Sequence, residues 1–339
     1  MAAMATRATR PAPEWERQVD DVPAALAVSG GLCVVACARG GVHLLDVVTG
    51  QAIAKLWLPG GAHRVGFSPD GAVAAVAGPC GYALWRVADG AVLMRATDAP
   101  ARFAWADANL CAVAYGGAVV VYDAASGVER WRPLDGAVPV DDLAWFDRGR
   151  TVAAAVGGDV YAYSARGRVA AWSYPAPVRV LAGGTDGAWL CAAGDGPGVF
   201  IRGVGGTSED LPTPGPALID GLALDGSGQW LAAQSDGGLT VWDLAARGGR
   251  MRPKPRRLEA SIGLGVAAWR PAARGAVIAT GGGDGAVAVW DARAGSVRRA
   301  ASPSVRWYAG APVTALAWAG SEVLVYADAA GRVTARAPE

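Results

Sequence analysis

The side chains that could do chemistry in this chain are few. It holds two histidines, His43 and His63, and five cysteines, Cys33, Cys37, Cys80, Cys111 and Cys191. A His-containing nucleophilic triad or a multi-His metal centre needs several such groups to converge. His43 sits in an apolar run and His63 follows a glycine turn. The cysteines form no C-x-x-C pair, so neither a zinc site nor a dithiol redox site is indicated. Three of them occur in similar settings, Leu32-Cys33-Val34, Leu110-Cys111-Ala112 and Leu190-Cys191-Ala192. They read as one repeated strand position filled by a small buried thiol, which suits a reducing compartment. The aspartates crowd turn sequences, where a carboxylate caps backbone N–H groups and is not paired for glycosidic chemistry. Gly263-Leu264-Gly265-Val266-Ala267-Ala268 spells G-x-G-x-x-A, but it runs into Trp269 of a strand and opens no helix. No catalysis, cofactor or metal is therefore expected.

The elements that would position any site come from a repeat of about 40 residues. Its clearest copies end in Leu239-Thr240-Val241-Trp242-Asp243 and Val287-Ala288-Val289-Trp290-Asp291. Weaker copies are Val119-Val120-Val121-Tyr122-Asp123 and Val42-His43-Leu44-Leu45-Asp46. Each unit reads as four strands, a to d. Strand a ends in an apolar or aromatic residue, as in Leu143-Ala144-Trp145. Strand b is nearly all apolar, as in Val73-Ala74-Ala75-Val76-Ala77, which suits the buried middle of a sheet. Strand c carries the Trp-Asp slot. Strand d often ends in Trp, as at Trp57, Trp131, Trp172 and Trp307. Glycines such as Gly50, Gly90 and Gly127 supply the positive φ that the tight turns need.

The last strand-c slot falls at Leu45, Trp85, Tyr122, Tyr163, Arg202, Trp242, Trp290 and Arg336, which makes eight units. The final unit ends after strand c. Its strand d is expected from residues 14–19, where Glu14-Trp15-Glu16-Arg17 matches Val128-Glu129-Arg130-Trp131. Closing a ring this way removes exposed sheet edges. The expected fold is all-β, an eight-bladed propeller of four-stranded antiparallel blades. Seven blades is the alternative, should the degenerate unit at 198–211 fail to form. Residues 1–13 are expected to be a flexible N-terminus, and 14–339 a single domain.

The spellings Ser68-Pro69-Asp70-Gly71, Asp236-Gly237-Gly238-Leu239-Thr240-Val241-Trp242-Asp243 and Gly283-Asp284-Gly285-Ala286-Val287-Ala288-Val289-Trp290-Asp291 resemble the WD-repeat family over nearly the whole chain. The departures are specific. The family's Gly-His before strand a is missing apart from His63, and only Asp46, Asp123, Asp243 and Asp291 fill the Asp slot, so the family's hydrogen-bonded tetrad should be incomplete in every blade. Val42 to Gly50 followed by Trp57, and Val119 to Trp131, are similar to quinoprotein-type propellers. The adjacent cysteines of many such dehydrogenases are absent. The WD-repeat resemblance implies a scaffold that holds a protein or peptide on a propeller face, alone or within a multi-subunit complex, without catalysis. The quinoprotein resemblance implies a small ligand in the channel.

Two surfaces follow from that architecture. The d-to-a and b-to-c connections share one face, and the residues entering strand a ring the channel mouth. Ala25, Arg64, Arg102, Asp142, Arg179 and Gly221 align there, with His63, Asp141, Asp220 and Thr314 beside them. Such a rim could hold a charged peptide by charge-assisted hydrogen bonds. On the opposite face, the long c-to-d connections of units 6 and 7 carry Arg247, Arg250, Arg252 and Lys254, with Arg256 and Arg257 opening strand d, then Arg293, Arg298 and Arg299. These should merge into one basic patch, able to meet an acidic or phosphate-bearing partner. No aromatic is interleaved with them, and the formal charge is only +1, so nucleic acid is not expected. No run reaches the roughly 18 apolar residues of a membrane span. The N-terminus lacks the apolar core of a secretory signal, so a cytoplasmic or nuclear site is expected.

Overall fold

Strand-forming runs such as Val73-Ala74-Ala75-Val76-Ala77 are apolar on both faces, so a sheet built on them must be covered on both sides. The computed structural model shows how. It describes residues 14–338 apart from 107–108, 185–188, 197, 204, 207, 214–217, 236–237, 245–252, 259–263, 272–275, 295 and 297–299. The expected flexible stretch 1–13 lies outside the described residues.

The chain forms eight four-stranded antiparallel sheets. Seven are simple meanders whose first strands are β2 (Pro23–Ser29), β6 (Arg64–Phe67), β10 (Ala101–Trp105), β14 (Asp142–Phe146), β18 (Val178–Gly183), β22 (Ile219–Leu224) and β26 (Leu264–Trp269). The eighth begins at β30 (Val313–Ala319) and ends on β32 (Arg332–Arg336), with β1 (Trp15–Gln18) added as its outer strand. Trp15 pairs with Ala335 and Gln18 with Arg332, so the N-terminal closure follows the expected strand. The degenerate unit also forms a full blade, through β20 (Gly198–Gly203) and β21 (Ser208–Pro212). The architecture is an eight-bladed propeller, and the seven-bladed alternative is set aside.

First strands line the axis. β2 packs against β6 and β30, β14 against β10 and β18, and β22 against β18 and β26. Among the described residues no apolar cluster fills the centre of the ring. Each of the eight apolar clusters lies between two consecutive blades. One blade cannot bury both faces, so stability resides in the contacts between neighbours. Trp85, Trp242 and Trp290 of the strand-c slot are no more than 1% exposed in these interfaces. Where Arg fills that slot, the planar guanidinium substitutes for the indole. Arg202 lies 5.5 Å from the Tyr174 ring centre, and Arg336 lies 5.4 Å from that of Trp307, each aromatic belonging to the preceding blade.

The aspartates after the slot act as turn caps. Asp46 accepts from the Val48 and Thr49 N–H groups, and Asp123 from the Ser126 N–H. They precede Gly50 and Gly127, whose φ values of 68° and 69° close the turns.

Register corrects the alignment of the cysteines. Cys33 pairs with Leu45 and Cys111 with Tyr122, both partners being strand-c slots. In blade 5 the slot residue Arg202 pairs with Leu190, and Cys191 pairs with Ile201. Cys191 therefore turns its side chain toward blade 6, whereas Cys33 and Cys111 face the preceding blade. The three cysteines do not share one position.

Candidate functional site

The rim of the channel is built at the start of the first strands. Five of these strands carry a β-bulge there, with register shifts between Pro23 and Ala25, Val178 and Val180, Ile219 and Gly221, Leu264 and Val266, and Val313 and Ala315. A bulge inserts one unpaired residue and re-aims its side chain. Arg179, Asp220 and Thr314 are such inserted residues. β6, β10 and β14 run without a bulge, and there Arg64, Arg102 and Asp142 pair with Ala77, Ala114 and Ala155. The residue equivalent to them in blade 5 is Val180, paired with Ala193, and not Arg179.

The rim charges are arranged in a definite order. Arg64 Nη1 lies 2.8 Å from Asp142 Oδ1, a bond that passes from blade 2 to blade 4 over blade 3. The Leu181 N–H of blade 5 donates to the other oxygen, Asp142 Oδ2, at 2.9 Å. Asp142 is 5% exposed, so its charge is held by these two donors. Arg179 makes a two-pronged contact with Asp195, Nε to Oδ1 at 3.2 Å and Nη2 to Oδ2 at 3.1 Å. Asp195 lies just beyond Gly194, in the b-to-c turn of the same blade. Asp141 Oδ2 accepts the Gly157 N–H at 3.0 Å. Thr314 Oγ1 donates to Ala327 O at 3.3 Å. His63 and Asp220 are exposed.

Arg102 stands apart. Its Nε donates to Asp141 O at 3.2 Å and its Nη1 to Ala101 O at 3.0 Å. Among the described residues no carboxylate lies within ion-pairing distance of it. Burial and the neighbouring Arg64 cation push its pKa below the ordinary guanidinium value, against the pull of Asp142 and Asp141. It opens on a cleft of about 120 Å³ between blades 3 and 4, lined by Pro100, Arg102, Ala114, Tyr115, Gly116, Gly117, Pro139, Val140 and Asp141. The Tyr115 hydroxyl donates to Thr97 O, so it serves as wall and not as a free donor. The sequence offered the rim arginines but no sign of this cleft, because its walls come from turns of two blades.

Deeper in the channel, a ladder of indoles ties blade to blade. Trp105, Trp145, Trp269 and Trp318 each donate Nε1–H to a first-strand carbonyl of the preceding blade, those of Gly66, Ala104, Ala223 and Ala268, at 3.0 to 3.3 Å.

On the opposite face, Lys254, Arg256, Arg257 and Arg293 of the expected basic patch lie among the described residues. The fourth strand of blade 6 meets the connection of blade 7, since the Ala301 N–H donates to Arg257 O at 3.0 Å and Arg256 Nη1 donates to Arg293 O. However, Arg293 is held bidentately by its own Asp291, at 2.9 and 2.7 Å, and Arg256 lies over the Trp230 ring. Lys254 and Arg257 are exposed. Arg247, Arg250, Arg252, Arg298 and Arg299 lie outside the described residues. No group of three or more metal-binding side chains occurs among the described residues, and no helix among them is long and apolar enough to cross a membrane.

No protein-family model matches the chain, and no curated protein matches it. Solved structures match the fold. The chain is similar to the Sqt1 protein of Chaetomium thermophilum, with a TM-score of 0.76 and 18% identity over 96% of this chain and 97% of that one. The same protein bound to the N-terminus of the ribosomal protein L10 gives a TM-score of 0.74 at 18% identity, over 94% and 97% of the two chains. The computationally designed Ika8 protein gives 0.75 at 16% identity, again over 94% and 97%. At these identities the likeness shows the propeller fold.

Proposed function

We propose that this protein is a non-catalytic interaction scaffold of WD-repeat type that holds a protein or peptide partner on the rim formed by Arg64, Arg102, Asp141, Asp142 and Arg179. The observation that carries the reading is the uneven commitment of the rim charges. Arg64 is engaged with Asp142 and Arg179 with Asp195, while Arg102 opens on a cleft with only backbone carbonyls for partners. A half-buried guanidinium without a carboxylate gains most from an incoming anionic group, because a charge-assisted bond there replaces poorly solvated donors. The rigid ring presents such a group at low ordering cost. The repeat spellings at Trp242-Asp243 and Trp290-Asp291 support the WD-repeat reading. The bound L10 segment of the Sqt1 structure supports a similar use of a ring of this shape. Five cysteines without a disulfide support a reducing compartment, cytoplasm or nucleus.

The test is affinity capture from native extract with the full chain and an Arg102→Gln/Arg179→Gln variant, followed by crosslink mapping. Arg64 is left intact because it neutralises Asp142. The expected result is a partner crosslinked at the Pro100–Arg102 and Pro139–Asp142 segments and lost with the variant, with thermal unfolding unchanged. Undiminished capture by the variant would remove the rim from the function.

A further inference from the structure

The cleft beside Arg102 combines two features that one peptide group satisfies together. One is a cation already oriented. Its Nε and Nη1 are anchored to Asp141 O and Ala101 O, and of the five N–H donors of a guanidinium the rest have no acceptor among the described residues. The other is an apolar recess in direct continuity with that cation, walled by Pro100, Tyr115, Pro139 and Val140. The two prolines have no N–H to offer, so they add no competing donors. The whole cleft, cation included, is about 120 Å³, below the roughly 150 Å³ that admits a benzene ring, so its apolar part suits a small aliphatic side chain.

Resting on the peptide-binding reading above, we propose that this cleft receives the C-terminal residue of a partner chain, its α-carboxylate on Arg102 and its small aliphatic side chain in the recess. The two groups branch from one Cα, so they arrive side by side, as the cation and the recess lie. An Asp or Glu side chain would carry its carboxylate at the far end of its own stem, and a different residue would have to fill the recess. Asp141 also lines the cleft. Its Oδ2 is occupied by the Gly157 N–H, and its charge is felt by both Arg179 and Arg102, which limits its repulsion of the incoming carboxylate. Asp142 is likewise committed, to Arg64 and to the Leu181 N–H.

The experiment immobilises the full chain and passes over it two pools of N-acetylated hexapeptides. The first five positions are randomised and the last is Ala, Val or Leu; one pool ends in the free acid, the other in the amide. Retained peptides are quantified by mass spectrometry. The expected result is a free-acid to amide recovery ratio of at least about tenfold, the scale of one charge-assisted bond. Arg102→Lys keeps the charge but loses the planar fork and lowers the ratio several-fold. Arg102→Gln, checked by its melting curve, brings the ratio to unity. Equal recovery of the two pools, recovery of neither, or a ratio that survives both Arg102 variants overturns the proposal. Equal recovery that disappears with Arg179→Gln overturns only the terminal-residue assignment and leaves the rim as the peptide-binding surface.

Discussion

Arg64 and Asp142 are 78 residues apart in sequence, yet their side chains meet at 2.8 Å across the channel mouth. Their strands belong to blades that are not neighbours, and the Asp142 carboxylate also accepts the Leu181 N–H of a further blade. One buried carboxylate thus joins three blades through bonds that do not pass through the sheets. It also explains why Arg102, on the blade in between, is left without a carboxylate of its own.

Removing Arg64 should therefore cost stability, unlike removing its rim neighbour. Arg64→Ala leaves Asp142 buried with one donor, and a loss of about 1–3 kcal/mol is expected. This is less than the 3–5 kcal/mol of a fully enclosed pair, because the Arg64 side chain is 39% exposed. Arg179→Ala breaks an exposed pair and should change stability by less than about 1 kcal/mol. Denaturant unfolding of both variants gives the comparison. Equal effects would mean that the cross-channel bond adds nothing beyond a surface pair.

Trp290 is fully buried between blades 6 and 7, and its Nε1–H donates to Thr280 Oγ1 at 2.9 Å. Trp290→Ala should lower unfolding free energy by on the order of 3–5 kcal/mol. Thr280→Val, which keeps the shape but removes the acceptor, should cost about 1–3 kcal/mol. A near-wild-type denaturation midpoint for Trp290→Ala would contradict its place in the interface.

β1 closes the ring by backbone pairing with β32 and by two side-chain bonds to blade 1, Trp15 Nε1–H to Val47 O at 2.6 Å and Arg17 Nη1 to Gly50 O at 3.0 Å. Deleting residues 1–19 should expose the β32 edge, lower the melting temperature and make association concentration-dependent. Light scattering during a thermal ramp reads both effects. A monomeric, undisturbed transition would refute the closing role.

The strand-c slot made the ring legible from sequence, since its recurrence at Trp242 and Trp290 could be followed through weaker copies to Arg202 and Arg336. The closing strand was legible because Glu14-Trp15-Glu16-Arg17 resembles Val128-Glu129-Arg130-Trp131. The rim was legible only as a band of charges. A bulge adds one residue without altering composition, so Arg179 was aligned where Val180 stands; separately, the shared Leu-Cys spelling placed Cys191 with Cys33, although Leu190 holds that position. The partners of the rim charges left no local trace. Asp195 reaches Arg179 through the turn of its own blade, and Asp142 reaches Arg64 over an intervening one. Arg102 therefore looked equivalent to the other rim arginines, although of these it alone lines the cleft.

The pH dependence of stability should centre on His43. This residue is 9% exposed in blade 1, and its Nε2 lies 3.1 Å from Asp20 Oδ1 without a well-directed hydrogen bond. Burial lowers its pKa below the ordinary value of 6.5, while the Asp20 charge opposes that shift and Lys55 and Arg17 add to it. A histidine whose folded pKa is depressed stays neutral in the fold after the unfolded chain has begun to take up a proton. Unfolding then binds protons between the folded pKa and 6.5, so stability is complete above that window and is lost as pH falls through it. Asp20, whose pKa is lowered chiefly by its hydrogen bond to Lys55, contributes a separate loss only at more acidic pH, below its usual 3.8. The expected outcome is a melting temperature that declines from pH 7 to pH 5 in the wild type. In His43→Gln it should be flatter over the same interval, because the only other histidine, His63, is exposed. A decline of equal slope in both proteins would show that the His43 site does not govern acid sensitivity.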